Sequence, residues 1–516
     1  MNGARSLLHS LVGSGVDVCF ANPGTSEMHF VAALDEVPAM RAVLALFEGV
    51  ATGAADGYGR MAGRPAATLV HLGPGLGNGL ANLHNARRAR TPLVNVVGDH
   101  ATTHRRFDAP LQSDIASLAR PVSGWYRESA RADDLAADAA DAVAAAYGPP
   151  GRVATLVLPA DVSWSPVADP LPARPVTAPH RPRVAPEVVD AVAAVLRRGE
   201  PTMLLLGGTA LRARGLQAAA RVSAATGAAR IAETFPANLE RGAGLPELHR
   251  LAYLADFAQQ QLEGLRHLVL VDAASPVSFF AYPGRASDLV PPGCQVHLLS
   301  GPGEDSPAAL DALAEALDAP AATPTVARSR PERPSGPLTM ETLAAAVGAL
   351  LPEGAVVVDE GNTAGLFTSG ATAGAPRHNW LTLTGGAIGL GLPAATGAAV
   401  AVPDRPVVCL QADGSAMYTI QALWTQAREG LNVTTVILAN RAYAILTMEL
   451  ARVGAVGGGA RAGSLLELDR PELDFVALAR GMGVPAVRAT TADELVTALQ
   501  RALAEPGPSL VEAVLA

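Results

Sequence analysis

Near-continuous apolar runs, each only a few residues long, set the layout of this chain. Examples are TPLVNVVGD (91–99), RVATLVLP (152–159), PTMLLLGG (201–208), HLVLVDA (267–273), GAVVVDEG (354–361), PVVCLQADG (406–414) and VTTVILAN (433–440). A strand with one wet face alternates apolar and polar residues, whereas a strand covered on both faces reads as an unbroken apolar run. Ala- and Leu-rich helical patterns separate these runs, and strands alternating with helices imply βαβ units and parallel sheets. Two proline-rich stretches, WSPVADPLPARPVTAPHRPRVAPE (164–187) and DAPAATPTVARSRPERPSGP (318–337), can continue neither helices nor central strands. They read as linkers that cut the chain into 1–163, 188–317 and 338–516. The expected fold is therefore α/β, with three doubly wound parallel-sheet domains.

Composition narrows the function by exclusion. The 516 residues are enough for roughly three domains, and 49% are apolar, which is enough to fill their cores. The net charge of −9 comes with no basic stripe, so nucleic-acid binding is not expected, although a local basic pocket could still hold a phosphate. No signal-peptide pattern and no membrane-length apolar run are present, so the expected location is the cytoplasm. Cys19, Cys294 and Cys409 sit in separate apolar segments and read as buried thiols of a reducing cytoplasm. There is no lysine at all, which excludes Schiff-base and pyridoxal-phosphate chemistry and a phosphate loop built on Gly-Lys-Ser/Thr.

One stretch carries chemistry. In ADGSAMYTIQALWTQAREGLNVTTVILANRAY (412–443), two apolar runs end in Asp413 and Asn440, 27 residues apart. Ligands of open α/β sheets lie beyond the carboxyl ends of the strands. A carboxylate, an amide oxygen and a nearby backbone carbonyl form a hard-oxygen set suited to Mg²⁺, which commonly shares its site with ligand phosphates. Gly414 lets a phosphate approach the backbone, and Ser415 can donate to it at a helix start. On these residues alone, an Asp N-cap and a turn Asn remain an open alternative.

The whole pattern resembles the thiamine-diphosphate (ThDP) motif, with Ala412 in place of the usual first glycine. FANPGTSEMHF (20–30), ALFEGVATGAADGYGRMAGRPA (45–66) and LGPGLGNGLANLHNARRARTPLVNVVGD (72–99) resemble the pyrimidine-binding domain of the acetolactate synthase and benzoylformate decarboxylase group. GGAIGLGLPAATGAAV (385–400) and DFVALARGMGV (474–484) resemble its diphosphate-binding domain. The resemblance implies a pyrimidine-binding domain at 1–163, a central α/β domain at 188–317 and a diphosphate- and Mg-binding domain at 338–516.

Residue roles follow from the resemblance. Asp413, the Asn440 side chain and the Ala442 carbonyl would ligate Mg²⁺. Gly361, Asn362 and Thr363, with Gly414 and Ser415, would meet the diphosphate. The Gly386 carbonyl would hold the aminopyrimidine, Ile388 would support the bent cofactor, and Glu48 would face the pyrimidine nitrogen. Thr25, His71 and Gln112 would face the substrate, and His100, His104, Arg105 and Arg106 are candidates for its carboxylate.

Two departures bear on the reaction. The second histidine of benzoylformate decarboxylase has no counterpart in SPVSFFAYPG (275–284), which offers Phe280 and Ala281. Acetolactate synthase's lysine is absent, and its Trp-Gln pair is missing from ILTMELARVGAVGG (445–458). Support for a flavin in the middle domain is lacking. The expected activity is decarboxylation of a small 2-oxo acid followed by acetolactate-synthase-like carboligation. Simple decarboxylation of the benzoylformate decarboxylase type is the alternative, and a non-catalytic ThDP-binding paralogue is a second. The resemblance also implies a homodimer or homotetramer with the active site at the dimer interface.

Overall fold

The computed structural model describes residues 1–168, 174–455 and 459–515; part of the first proline-rich stretch, 169–173, and residues 456–458 lie outside them. Three sheets organise the chain, and every apolar run named above supplies a strand to one of them. The first sheet is wholly parallel, in the order Arg41–Leu44, Val18–Asn22, Ala66–His71, Leu93–Asp99, Val153–Pro159, Trp125–Glu128. The second is parallel and smaller: Gln295–Ser300, His267–Val271, Thr202–Leu206, Ala229–Ala232. The third runs Ala486–Ala489, Ser509–Val514, Val433–Ala439, Val407–Ala412, Val356–Glu360, His378–Thr382, Leu239–Arg241. All its pairings are parallel except the last. Central strands such as Leu93–Asp99, Thr202–Leu206 and Val433–Ala439 are buried along their whole length, which accounts for their unbroken apolar sequence.

Numbered along the chain within each unit, and leaving aside the added edge strand Leu239–Arg241, the first and third sheets share the strand order 2-1-3-4-6-5. The two units meet through equivalent helices, Glu48–Ala62 and Gly391–Ala401. Glycines let the two backbones touch. A Cβ on Gly57 would lie 2.1 Å from the Ala394 carbonyl oxygen, and one on Gly397 would lie 1.7 Å from that of Ala54. ATGAADGYG (51–59) and ATGAAVAV (395–402), which open on the same five residues, thus belong to two helices that pack on each other.

Two details depart from expectation. Leu239–Arg241 lies in the middle third of the sequence but pairs antiparallel with His378–Thr382 on the edge of the third sheet. Its neighbour Asn238 donates to the Arg60 carbonyl at 3.0 Å and accepts from Asn379 at 2.8 Å, pinning that segment between the outer units. Cys19 and Cys409 are buried, whereas Cys294 is half-buried; all three are free thiols. Among the described residues no helix is long and apolar enough to cross a membrane.

Candidate active site

The strand register brings Asp413 and Asn440 together. Val407–Ala412 pairs in parallel with Val433–Ala439, with Ala412 opposite Leu438, so the two side chains leave adjacent strands at the same end of the sheet. Asp413 begins the helix Asp413–Thr419 and is 3% exposed. Its Oδ1 accepts from the Gly414 N–H at 2.8 Å and its Oδ2 from the Arg441 N–H at 2.7 Å. The second donor reaches back because Arg441 adopts φ +56°, a left-handed turn just past Asn440 that is uncommon outside glycine. Burial pushes the Asp413 carboxyl pKa up from its usual value, against the pull of these N–H donors. A buried carboxylate held only by neutral donors keeps lone pairs for a cation. The Asn440 Oδ1 accepts from the Ala442 N–H at 3.1 Å. A Cβ on Gly414 would lie 2.5 Å from the Tyr443 ring, so only glycine fits beneath that ring.

The neighbouring strand Val356–Glu360 delivers Gly361, Asn362 and Thr363 to the same end of the sheet. Asn362 takes φ +48°, and its Nδ2 donates to Ser415 Oγ at 3.0 Å, joining the two candidate diphosphate loops. Glu360, fully buried, fastens a third loop. Its carboxylate accepts from the Gly389 N–H at 2.7 Å, the Gly391 N–H at 2.5 Å and Gln411 Nε2 at 3.1 Å. That loop carries Gly386, at φ +74°, and half-buried Ile388. Asn85 Nδ2 donates to the Ala387 carbonyl at 2.8 Å, and His84 Nε2 lies 3.1 Å from the Gly385 carbonyl. Phe279 of the middle unit covers the same spot, its ring 2.7 Å from where a Cβ on Gly386 would be. Glu360 and Phe279 were not picked out from the sequence.

A second cluster forms at the carboxyl ends of the first sheet. Glu48 opens the helix Glu48–Ala62, is 9% exposed, and accepts from Asn78 Nδ2 at 3.0 Å. Gly75 separates it from His71: a Cβ there would lie 3.1 Å from Glu48 Oε1 and 3.5 Å from the His71 Cβ. His71 ends the strand Ala66–His71, and its Nδ1 lies 2.8 Å from Glu27 Oε2. Glu27 is fully buried; its Oε2 also accepts from the Gly24 N–H at 2.6 Å, while its Oε1 has no partner. Burial pushes the Glu27 carboxyl pKa up, opposed by His71 and the Gly24 N–H. Glu27 is the functional candidate that the sequence reading missed. Its only signal is an acid inside the Asn-Pro-Gly-Thr-Ser-Glu loop, whose partner lies 44 residues away.

The remaining candidates divide. Thr25 is exposed, two residues from Glu27. The segment bearing Gln112 packs over Gly73, where a Cβ would lie 1.9 Å from Ser113 Oγ, so Gln112 lies near the turn after His71. Its side-chain Oε1 is buried without a partner. Arg105 is committed to Asp99, at 2.6 Å, and to Glu128, and is not free to receive a carboxylate. The His100 and His104 rings stand 5.3 Å apart beside it. Among the described residues, no hydrogen bond or ion pair joins the Glu48–His71–Glu27 cluster to the Asp413–Asn440–Asn362 cluster, and no group of three or more His, Cys, Asp or Glu side chains forms a metal centre.

Residues 1–119 match the family described as thiamine pyrophosphate enzyme, N-terminal TPP binding domain, and residues 359–513 match its C-terminal TPP binding domain. A Mycobacterium tuberculosis protein provisionally named acetolactate synthase large subunit IlvX is 61% identical over 515 residues, spanning 100% of this chain and 99% of its own. The benzoylformate decarboxylase of Pseudomonas aeruginosa is 32% identical over 532 residues, covering 96% of each chain. In fold, the chain is similar to the ThDP-dependent 4-hydroxybenzoylformate decarboxylase of Rhodococcus jostii RHA1, with a TM-score of 0.87 at 24% identity over 100% of this chain and 99% of that one. The two matched segments contain the two clusters, one each, and the chain belongs to the thiamine-diphosphate-dependent enzyme family that includes acetolactate synthase large subunits and benzoylformate decarboxylases.

Proposed function

We propose that the chain is a Mg²⁺- and ThDP-dependent decarboxylase of a 2-oxo acid, in which the fragment left after loss of CO₂ is protonated and released as an aldehyde. The observation that carries this reading is the pairing of buried Glu27 with half-buried His71. Glu27 holds Nδ1 of the imidazole at 2.8 Å, and among the described residues Nε2 has no partner, so it is the atom free to carry a proton. A histidine oriented by a buried carboxylate is the usual construction of a general acid or base.

The residues present fit the cofactor. The buried Asp413 carboxylate, the Asn440 amide and the Ala442 carbonyl would hold Mg²⁺, the hard-oxygen set that this ion takes. Gly361, Asn362, Thr363, Gly414 and Ser415 would meet the diphosphate. The buried Asp413 carboxylate, met among the described residues only by the neutral Gly414 and Arg441 N–H groups, supports this assignment. Gly386 and Ile388 would seat the ring system, and Glu48 would hold a proton against the pyrimidine nitrogen. When bound, ThDP supplies the electron sink for loss of CO₂ from a 2-oxo acid. The rest of the work falls to this chain's own side chains. His71 would move the proton at Nε2, while Thr25 and Gln112 would orient the substrate carboxylate and carbonyl. Phe279, at Gly386, and Phe280, whose ring lies 5.1 Å from it, are 43% and 51% exposed and offer apolar surface beside the Gly386 loop. That surface favours an aromatic or branched apolar side chain over a charged one.

That no hydrogen bond or ion pair joins the two clusters among the described residues supports a site completed by a second copy of this chain, with Glu48 of one protomer serving the cofactor held by the other. A second reading, carboligation of the acetolactate synthase type, is favoured by a different observation. Where a second histidine would stand to protonate the fragment, the chain has Phe280 and Ala281, and its 61%-identical relative carries the synthase name. A proton NMR assay with ThDP, Mg²⁺ and either pyruvate or phenylglyoxylate separates the two. Benzaldehyde or acetaldehyde upholds the decarboxylase, and acetolactate moves the assignment to the synthase. Bound cofactor with neither acid consumed rejects both substrates and favours a non-catalytic ThDP-binding chain.

A further inference from the structure

Asn82 and Asn85 are buried amides on the helix Leu72–Ala89 of the first unit, and the proposed reaction uses neither. A buried amide needs a partner for each N–H and for its oxygen. Here the partners lie in two places. Asn82 Nδ2 donates to the Gly49 carbonyl at 2.8 Å and to the Gly389 carbonyl at 3.3 Å. Its oxygen accepts from Asn85 Nδ2 at 2.9 Å. Asn85 in turn grips Ala387 from both sides, donating to its carbonyl at 2.8 Å and accepting from its N–H at 3.3 Å. Gly49 lies in the first turn of the helix that opens on Glu48, and Ala387 and Gly389 flank Ile388. One side chain thus spans the start of the Glu48 helix and the loop that would seat the cofactor's ring system.

Gly389 is where the other candidate loops meet. Its N–H donates to Glu360, the residue before Gly361. Its carbonyl accepts from Thr419 Oγ1 at 2.8 Å, and Thr419 ends the helix that begins with Asp413. The residue is buried at φ +96°, and a Cβ there would lie 2.6 Å from the Tyr418 Cβ, so only glycine fits. Asn82 has as little freedom. A Cβ on Gly53 would lie 2.8 Å from Asn82 Nδ2 and 2.6 Å from the Pro393 Cβ, which places the amide in the crossing of Glu48–Ala62 with Gly391–Ala401. The Gly389 carbonyl therefore takes two side-chain donors, Asn82 from the first unit and Thr419 from the third.

We propose that Asn82 is a positioning residue of the cofactor site. Acting through the Gly389 carbonyl, it fixes the loop 386–388 in the setting that receives ThDP. The proposal rests on the assignment of that loop to the ring system, and not on which reaction follows.

The test is a double-variant cycle, read by calorimetric titration of the full chain with ThDP at saturating Mg²⁺. Asn82→Leu removes one donor to the Gly389 carbonyl at nearly equal volume, and Thr419→Val removes the other. Each single variant leaves the carbonyl one of its two side-chain donors, and the double variant leaves it neither. Orphaning a buried acceptor is costlier than thinning its partners, so each single change should weaken ThDP binding by roughly three- to tenfold and the double change by more than the product of the two. Cofactor-free melting is measured alongside, and all titrations are made well below the lowest midpoint. A lowered melting temperature with unaltered ThDP affinity would make Asn82 a packing residue and overturn the proposal. A double variant that loses only the product of the single losses overturns it too, because the two donors would then act independently. If Asn82→Leu does not fold, Asn82→Ser takes its place in the cycle and the same results decide. The readout needs no turnover. A chain that binds ThDP but consumes neither pyruvate nor phenylglyoxylate defeats the proposed reaction while the cycle still decides the role of Asn82; a parent chain that binds no ThDP overturns both.

Discussion

At the scale of single residues, Asp413 and Glu27 are both buried carboxylates, and different things answer their charge. Among the described residues Asp413 meets only neutral N–H donors, which is why a cation is proposed to complete it. The change Asp413→Asn therefore separates two quantities. Mg²⁺-dependent ThDP affinity should fall by at least tenfold, measured by calorimetry. The cofactor-free protein should melt no lower at neutral pH, since a buried charge has been removed. Unchanged affinity would end the metal assignment. Glu27 is answered by His71, so Glu27→Gln should lower kcat by roughly a hundredfold, within the range usual for general acid–base catalysis. The loss should fall on kcat with the melting temperature unchanged, which a merely structural role would not produce. Glu233 gives a prediction for stability. Its carboxyl sits at about 7 in the folded chain against 4.5 ordinarily, so the folded state holds the extra proton between those values. Its contribution is fully favourable below the lower value and is lost as pH rises through the upper one. The span is worth at most about 3.5 kcal/mol at about 1.4 kcal/mol per pKa unit. Glu233→Gln should raise the melting temperature at pH 8 and leave it nearly unchanged at pH 4; a gain equal at both values would contradict this.

At the scale of elements, the crossing of Glu48–Ala62 with Gly391–Ala401 does two jobs. It fixes the start of the helix that carries Glu48, and it locks the helix that follows the Gly386 loop. The contact has no slack, because the atom nearest a Cβ on Gly397 is a backbone oxygen at 1.7 Å, which cannot swing aside. Gly397→Ala should cost about 1–3 kcal/mol, the usual penalty of overpacking, and lower the melting temperature by several degrees. A variant as stable as the parent would show that the crossing can relax. The helices were legible in the sequence as Ala- and Gly-rich stretches between apolar runs. Their mutual contact was not, because small residues signal close approach without naming the partner. The strands were legible for the opposite reason: burial on both faces writes itself as an unbroken apolar run. Leu239–Arg241 has three residues and one apolar side chain, too little pattern to read. It exists because Asn238 and the edge of the third sheet hold it there. Asp413 and Asn440 were readable because each ends a strand, so their meeting follows from register. Glu27 lies in a turn, and only the fold brings it to His71.

At the scale of the whole molecule, the two outer sheets present equivalent carboxyl ends, yet each carries half of the chemistry. On the proposed function, one end would supply the acid–base set around Glu48 and His71, and the other the cation and diphosphate set around Asp413. If each cofactor is gripped by one end from each of two protomers, a dimer has two sites and every site needs both chains. Glu48→Gln and Asp413→Asn homodimers would then be inactive. After mixing, unfolding and refolding in equal amounts, half of the dimers would pair one variant with the other. In each mixed dimer one site combines both substitutions and the other combines two intact halves. The refolded mixture should therefore regain about a quarter of parental activity, and an equal mixture never unfolded should regain it only as fast as subunits exchange. If instead each chain holds a complete site, every site carries one substitution and mixing restores nothing. The outcome is set by which chain owns which residue and is insensitive to the identity of the substrate, so it decides the architecture whichever 2-oxo acid supplies the assay.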